Sequence, residues 1–387
     1  MQTEDEERRV RVSLKDVAEL AGVSVKTVSN VVNKYQHVTP ATREKVQRAI
    51  DDLDYRPNLT ARHLRKGRTG IIALALPELG NPYFAELAGA VIDAAGEHDY
   101  TVLLDHTQGS RERELLVTQG FRARVIDGLI LNPLELEAED LAARTDTAPL
   151  VLIGERRYDL PYDHIAIDNI AAARTAVSHL LDRGRRRIAF LGARGDRASQ
   201  PAHLRLLGWR TELAARGVPA DETLVAPVEG WDRADGAAAM AALLDAGHRP
   251  DAVFAYNDLI AIGAMRVMSE RGLRVPEDVA VVGFDDLTEG RYGAVTLTTV
   301  APDKQAIARL AVESIVGRLE EPKTPGGADG SDPGGRARHG DAGPAGDGAG
   351  NGEGGAENGE GAVVPRQLQP GFTLVEREST LGRSPAH

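Results

Sequence analysis

Along the first seventy residues, apolar positions recur every three or four places in three short stretches. Leu14, Val17, Ala18 and Ala21 make the first stripe, Val28, Val31 and Val32 the second, and Val46, Ala49, Ile50 and Leu53 the third. That spacing puts each set on one face of a helix. Gly22 allows a sharp turn between the first two helices, and Ser24 is placed to cap the second by accepting a backbone N–H. Thr39–Pro40 joins a capping hydroxyl to a proline at the first helical position, where a missing N–H breaks no bond. Tyr55-Arg56-Pro57-Asn58 ends the third helix. Three short helices around a small aliphatic core, with glycine at the first bend, predict a helix-turn-helix unit over residues 12–67, behind a polar extension at 1–11. Within that unit, residues 58–66 predict one more helix, capped by Asn58 and ended by Gly67, too short to persist alone in water.

From residue 71 the pattern changes. Short β-branched and aliphatic runs at 71–77, 100–107, 125–133, 149–155 and 164–169 alternate with helical stretches, and a second series follows at 186–193, 223–230, 251–258 and 278–286. Continuous apolar runs separated by helices predict parallel sheets with helices on both faces. Two such series predict an α/β domain of two lobes over 68–320, with lobe 1 at about 71–168 plus 300–320 and lobe 2 at about 169–299 plus 370–380. A helix from about Asp303 to Leu319 returns the chain from the second series to the first, and Gly371 to Thr380, within the closing segment 367–387, reads as one more strand. Between them, 321–366 is dominated by Gly, Ala, Asp, Glu and Pro. Such a composition cannot bury enough surface to offset chain entropy, so the segment is expected to be a disordered insertion. It is either a tolerated lengthening of one connection or an acidic stretch that shields or recruits something.

Charge divides along the same line. Residues 1–70 hold 14 Lys and Arg against 10 Asp and Glu, four of these acids in Glu4-Asp5-Glu6-Glu7; the rest of the chain holds 32 against 48. A basic head on an acidic body, in a chain of net charge −12, suggests that the head alone meets a polyanion. There are no cysteines, which excludes disulfides, thiolate metal sites and thiol catalysis. No apolar leader or run of about 18 apolar residues is present, so the expected setting is the cytoplasm, at the nucleoid, with no membrane partner.

A second helix of this kind can enter a major groove about 12 Å wide, its first residues reaching base edges. Val25, Lys26 and Asn30 stand there. Lysine donates to guanine, asparagine pairs with adenine in bidentate fashion, and valine touches a thymine methyl. Thr27, Ser29, Asn33 and His37 are better placed for phosphates, which fix register without reading sequence. Taken alone, the same polar face could simply be solvated. Leu64 lies among Arg62, Arg65, Lys66 and Arg68. An apolar wedge among cations suits a minor-groove intruder, and packing against the body with the arginines in water is the other reading.

In the body, Asp105, Asn132, Glu155, Asp168, Asn257, Asp258, Asp285 and Asp286 stand at strand ends, where ligands bind in open parallel sheets. Each is equally suited to capping a helix; only their recurrence points to a site. Arg205 adds a charged donor, and Trp231 could lie against the apolar face of a ring. The chemistry fits a small polar ligand such as a sugar.

The head resembles the headpiece of the lac repressor and galactose repressor family of bacterial regulators, on "VSLKDVAELAGVSVKTVSNVVN", "HVTPATREKV" and "YRPNLTARHLRKGRTG". The resemblance implies that Val25, Lys26 and Asn30 fall on base-reading positions. It puts His37, Asn58, Ala61 and Leu64 on further DNA contacts, Leu64 on the intercalating leucine. It extends across the body, implying an effector domain like periplasmic binding proteins. "NPYFAEL" then places Tyr83 and Phe84 near the cleft and "RLLGW" makes Arg205 the ligand arginine, while Trp231, Asn257 and Asp285 hold the effector. The stretch "GARGDRASQPAHLR" departs from the family pattern. The implied protein is a homodimeric regulator, most often a repressor. It reads a near-palindromic double-stranded operator under control of a sugar-like effector, without cofactor, metal or catalytic residue. A solute-binding protein for transport and an α/β enzyme using Asp285 or Asp258 as acid or base are the alternatives; no Ser/His/Asp set, phosphate loop or metal-ligand spacing supports the second.

Overall fold

The computed structural model describes residues 12–32, 35, 37–55, 67–120, 125–156, 158–194, 200–321 and 365–382. The chain forms two compact units, Met1–Gly70 and Ile71–His387.

In the first unit, helices α1 (Leu14–Ala21), α2 (Val25–Val32) and α3 (Pro40–Asp52) follow the three apolar stripes. Asp16 Oδ2 accepts from both the Ser13 backbone N–H and hydroxyl at 2.7 Å, fixing the start of α1. Gly22 adopts φ +59°, the left-handed conformation that ends a helix cheaply only without a Cβ. Thr27 N–H donates to Ser24 Oγ at 3.1 Å, and Thr42 N–H to Thr39 Oγ1 at 3.3 Å. The core is Val17, Val28 and Val46, all fully buried, with Ala18, Ala21, Val31, Ala49 and Tyr55. Tyr55, which ends the third helix in the sequence pattern, closes the core instead of leaving it.

The second unit contains, in order, β1 (Ile71–Leu76), α4 (Pro82–Glu97), β2 (Thr101–His106), α5 (Arg111–Thr118), β3 (Gly128–Leu131), α6 (Ala138–Ala142), β4 (Leu150–Ile153) and β5 (Asp163–Ile165). Then come α7 (Asn169–Asp182), β6 (Ile188–Ala193), α8 (Gln200–Ala215), β7 (Val225–Pro227), α9 (Arg233–Asp245), β8 (Ala252–Ala255), α10 (Asp258–Glu270), β9 (Ala280–Phe284) and β10 (Thr298–Pro302). The chain closes with α11 (Lys304–Glu320), β11 (Gln367–Leu368), β12 (Phe372–Val375) and α12 (Glu378–Leu381).

The strands make two six-stranded sheets, ordered β11-β5-β4-β3-β1-β2 in lobe 1 and β12-β10-β9-β8-β6-β7 in lobe 2. Pairing is parallel except that β12 runs antiparallel to β10. The chain crosses between lobes three times: from β5 to α7, from β10 to α11, and from β11 to β12. Helix α11 packs on α4 and on β3, β4 and β5, so it belongs to lobe 1.

Four expectations are corrected. Residues 298–302 form a lobe 2 strand, so lobe 1 resumes at Lys304 and not at 300. The strand expected over 371–380 stops at Val375, and Glu378–Leu381 is helical because Thr380 and Ser379 turn inward to bond Thr298 and Val281. Arg366, assigned to the insertion, is part of lobe 1 and donates to Asp163. Not every strand is covered on both faces: β2, at a sheet edge, leaves Leu104 40% exposed. The expected disorder of the insertion concerns residues that, apart from Glu321, Pro365 and Arg366, lie outside the described ones.

Candidate functional site

In the first unit, Val25 and Lys26 stand exposed on the first turn of α2, with Val25 45% exposed although apolar. Asn30 lies one turn on and is half-buried, its carbonyl accepting from Tyr35 N–H at 2.9 Å. Thr27 and Ser29 are half-buried; the Thr27 hydroxyl pairs with Ser24 Oγ at 2.8 Å, which tightens the cap. His37 is exposed and meets the Tyr35 ring edge-on at 5.4 Å. Asn33, Asn58, Ala61 and Leu64 lie outside the described residues. Val25, Lys26 and Asn30, expected to meet bases, share one short helix whose Val28 packs with Val17 and Val46 in the core.

In the second unit, a cavity of about 640 Å³ opens beyond the carboxyl ends of both sheets. Tyr83, Phe84, Arg205, Trp231, Asn257 and Asp285 all line it. They come from α4, α8, the approach to α9, the start of α10 and the end of β9, which only the folded topology brings together.

One wall is a stack of rings and guanidiniums. Arg205 Cζ lies 3.4 Å from the Phe284 ring centroid and 4.6 Å from that of Tyr256. Tyr256 stacks on Trp231 at 4.2 Å, and Arg194 Cζ sits 4.6 Å from the Trp231 ring. Such contacts gain strength where water is excluded, and Arg205 is only 5% exposed. Arg205 Nε donates to Asn169 Oδ1 at 2.7 Å, and Asn169 Nδ2 donates to Glu155 Oε1 at 3.0 Å. Arg205 Nη1 donates to the Tyr256 carbonyl at 2.5 Å. The arginine is thus fixed before any ligand arrives. Trp231 lines the cavity with Tyr256 stacked on it and Arg194 over the indole.

Asp285 is 7% exposed and has φ +110°, a conformation rare outside glycine. Burial pushes its carboxyl up to about 7, against the pull of Arg205 and Lys304. Burial likewise raises the Tyr83 and Tyr256 phenols, which therefore remain neutral donors. Asp258, fully buried and raised by burial and by Asp285, accepts from Thr299 Oγ1 at 2.6 Å and Leu287 N–H at 2.7 Å. Oδ2 thus holds the turn after β9 and Oδ1 the β10 threonine, and Asp258 is not among the residues that line the cavity. Asp286 is engaged by Arg377 and Arg291, each at 2.6 Å. Asn257 caps α10 through Ile260 N–H and donates to the Trp231 carbonyl at 2.9 Å, which ties the cavity wall together. Asp168 caps α7 through Ala171 N–H, and Asp105 lies within β2, away from the cavity lining.

Sequence reasoning did not single out Asn169, Tyr256 or Arg194. Tyr256 and Asn169 each adjoin a residue that it did name, Asn257 and Asp168; the stacking of Tyr256 and the hydrogen bonds of Asn169 are tertiary properties. Among the described residues there is no cluster fit to hold a metal ion, and no helix is long and apolar enough to cross a membrane.

A helix-turn-helix followed by a two-lobed domain with a polar cleft between its sheets defines a DNA-binding regulator that carries a small-molecule receptor. Residues 13–58 match the family described as bacterial regulatory proteins, lacI family, and residues 177–329 match the periplasmic binding protein-like domain. The chain is 39% identical over 331 residues to the HTH-type transcriptional regulator CelR of Thermobifida fusca, covering 82% of this chain and 95% of that one. Among solved structures it resembles a transcriptional regulator CelR–cellobiose complex, at 32% identity and a TM-score of 0.62, covering 95% and 100% of the two chains. It also resembles the lac repressor dimer bound to operator and the anti-inducer ONPF, at 28% identity and a TM-score of 0.66, covering 95% and 99%. The chain belongs to the lacI family of bacterial regulatory proteins and is a DNA-binding transcription regulator.

Proposed function

We propose that this regulator represses transcription in the cytoplasm, as a homodimer on a near-palindromic operator, and that a neutral sugar entering the cleft alters its hold on DNA. Val25, Lys26 and Asn30 read base edges. Thr27, Ser29, Asn33 and His37 meet the backbone, and Asn58, Ala61 and Leu64 act in the segment that joins head to body. Tyr83, Phe84, Arg205, Trp231, Asn257 and Asp285 form or hold the effector site, with no catalytic step. The observation that carries the effector class is the charge of the cleft. Its lining has five acids, Glu78, Glu155, Asp232, Asp235 and Asp285, against three arginines, Arg194, Arg205 and Arg233. A surplus of carboxylates repels sugar acids and sugar phosphates, and it accepts hydrogen bonds from hydroxyls. A cavity of about 640 Å³ has room for a disaccharide, within the usual range of roughly 300–1,000 Å³ for small-ligand sites. The CelR–cellobiose complex makes cellobiose the first sugar to try.

Selection of bound duplexes from random sequence, followed by titration of DNA affinity with cellobiose and other neutral saccharides, tests the reading. A sugar that acts should shift DNA affinity by about 5–150-fold, the range of coupling energies near 1–3 kcal/mol. Failure of every neutral saccharide, with a response to a sugar phosphate, would refute the effector class.

A further inference from the structure

A small polar network crosses from lobe to lobe at the edge of the cleft. Lys304 opens α11, directly after the second crossing. Its ammonium donates to Glu86 Oε2 on α4 at 2.5 Å and to the Asp285 backbone carbonyl in lobe 2 at 2.6 Å. Thr288, also in lobe 2, donates its hydroxyl to the other Glu86 oxygen at 3.4 Å. The ammonium lies 5.8 Å from the centroid of the Tyr83 ring. The Lys304 side chain is 16% exposed, so salt and water screen these contacts little.

The same network holds a strained residue. A non-glycine backbone at φ +110° persists only where its surroundings over-determine it. Asp285 N–H is fixed on the Val300 carbonyl at 2.8 Å, and Lys304 fixes the Asp285 carbonyl at 2.6 Å. We propose that Lys304 is a positioning residue that ties lobe 2 to lobe 1 and holds the Asp285 peptide so that its carboxylate is presented to the effector. This rests on the reading of the cleft as the effector site. When the lobes part, Lys304 keeps Glu86 on its own lobe and loses the Asp285 carbonyl. An effector bonded to Asp285 from the cavity and Lys304 bonded from behind therefore favour the same closed arrangement, and each strengthens the other.

The charges around Asp285 give the inference a second signature. Arg205 on α8 and Lys304 on α11 attract its carboxylate; Glu155 after β4, Glu86 on α4 and Asp258 on α10 oppose it, while the Tyr83 and Tyr256 phenols stay neutral. Removing the Lys304 charge pushes the carboxyl further up, so effector binding should need a higher pH.

The absence of cysteine lets two be introduced cleanly. Spin labels at Glu139→Cys in lobe 1 and Ser269→Cys in lobe 2, both exposed, report the distance between lobes in full-length chain diluted with unlabelled protein. Lys304→Met should add a longer-distance population that Lys304→Arg does not; an unchanged distribution overturns the tie whatever the sugar. In calorimetric titrations with cellobiose, Lys304→Met should bind about tenfold more weakly, the loss of one hydrogen bond to a charged group. Its pH midpoint should move up. Asp285→Ala should give no heat. Loss in Asp285→Ala with full affinity in Lys304→Met refutes the inference and leaves the cleft reading standing. If the wild type binds and Asp285→Ala binds equally well, the cleft reading falls; if the wild type gives no heat with cellobiose, another neutral saccharide replaces it, and the distance measurement decides the tie in every case.

Discussion

Replacing Asp163 by Asn should destabilise the second unit by about 2–4 kcal/mol at pH 7, through the loss of a charge that joins three elements. Asp163 opens β5, and its side chain is 1% exposed. Oδ1 accepts from Arg318 Nη2 at 2.6 Å and from the Arg366 backbone N–H at 2.8 Å. Oδ2 accepts from Arg318 Nε at 3.2 Å and Arg366 Nη2 at 2.8 Å. Arg318 belongs to the last turn of α11 and Arg366 directly precedes β11. Burial alone would push this carboxyl up; the hydrogen bonds from the two arginines outweigh it and hold the group at about 2, below an ordinary 3.8. That difference corresponds to about 2.5 kcal/mol at roughly 1.36 kcal/mol per unit. A depressed acid stabilises the fold above its unfolded value, and the contribution fades as pH falls through 4 towards 2, with about half left at pH 3. Urea unfolding followed by circular dichroism at pH 7, 4 and 3 measures it, the gap between wild type and Asp163→Asn narrowing at pH 3. Equal midpoints at pH 7, or a gap that does not change with pH, would show that the arginines lean on something other than this carboxylate.

Asp285 gives a pH dependence of the same direction in a higher window, at the cleft. Because its carboxyl sits at about 7, a sugar that donates hydroxyls to the ionised form should bind more tightly as pH rises from 6 to 8, by up to about tenfold, and Asp285→Asn should flatten the profile in calorimetry. Gly263→Ala should cost about 1–3 kcal/mol or more in the urea midpoint, since a Cβ there would lie 1.9 Å from the Arg233 carbonyl oxygen, where α10 crosses α9. A mild effect would mean that the two helices part easily. In selections from random duplexes, Lys26→Ala or Asn30→Ala should relax preference at one base pair per half-site, each contact being worth about 1–3 kcal/mol; an unaltered motif assigns base reading elsewhere.

The three described helices of the head were legible because their determinants are local. A helical period, a glycine at a bend and two capping hydroxyls each act within four residues of themselves. The nine runs of the body each mark a strand, most plainly where the buried residues are continuously apolar, as in β1, β3, β4 and β8; β5 is Asp-His-Ile and takes only the start of its run. Three strands escaped or were misjudged, for physical reasons. β10 is rich in threonine, and its Thr298 and Thr299 hydroxyls find their side-chain partners in Thr380 and Asp258, far along the sequence. β11 is two residues long, and β12 pairs antiparallel after a connection too long for local pattern to bridge. In the cleft, residue types at strand ends were visible, but not their roles. Asn257 lines the cavity and also caps α10, and Arg205 and Asn169 lie 36 positions apart and meet at 2.7 Å.

The third crossing has a consequence for any shortened form of the chain. Its strands β11 and β12 follow the Gly-rich stretch and finish the outer margin of both sheets, beside β5 and β10. A premature stop anywhere within 322–364 would strip the two margins at once and leave two rows of unpaired backbone groups open to other molecules. Truncated products should therefore precipitate or be degraded as whole chains, not persist as a working receptor with a trimmed end.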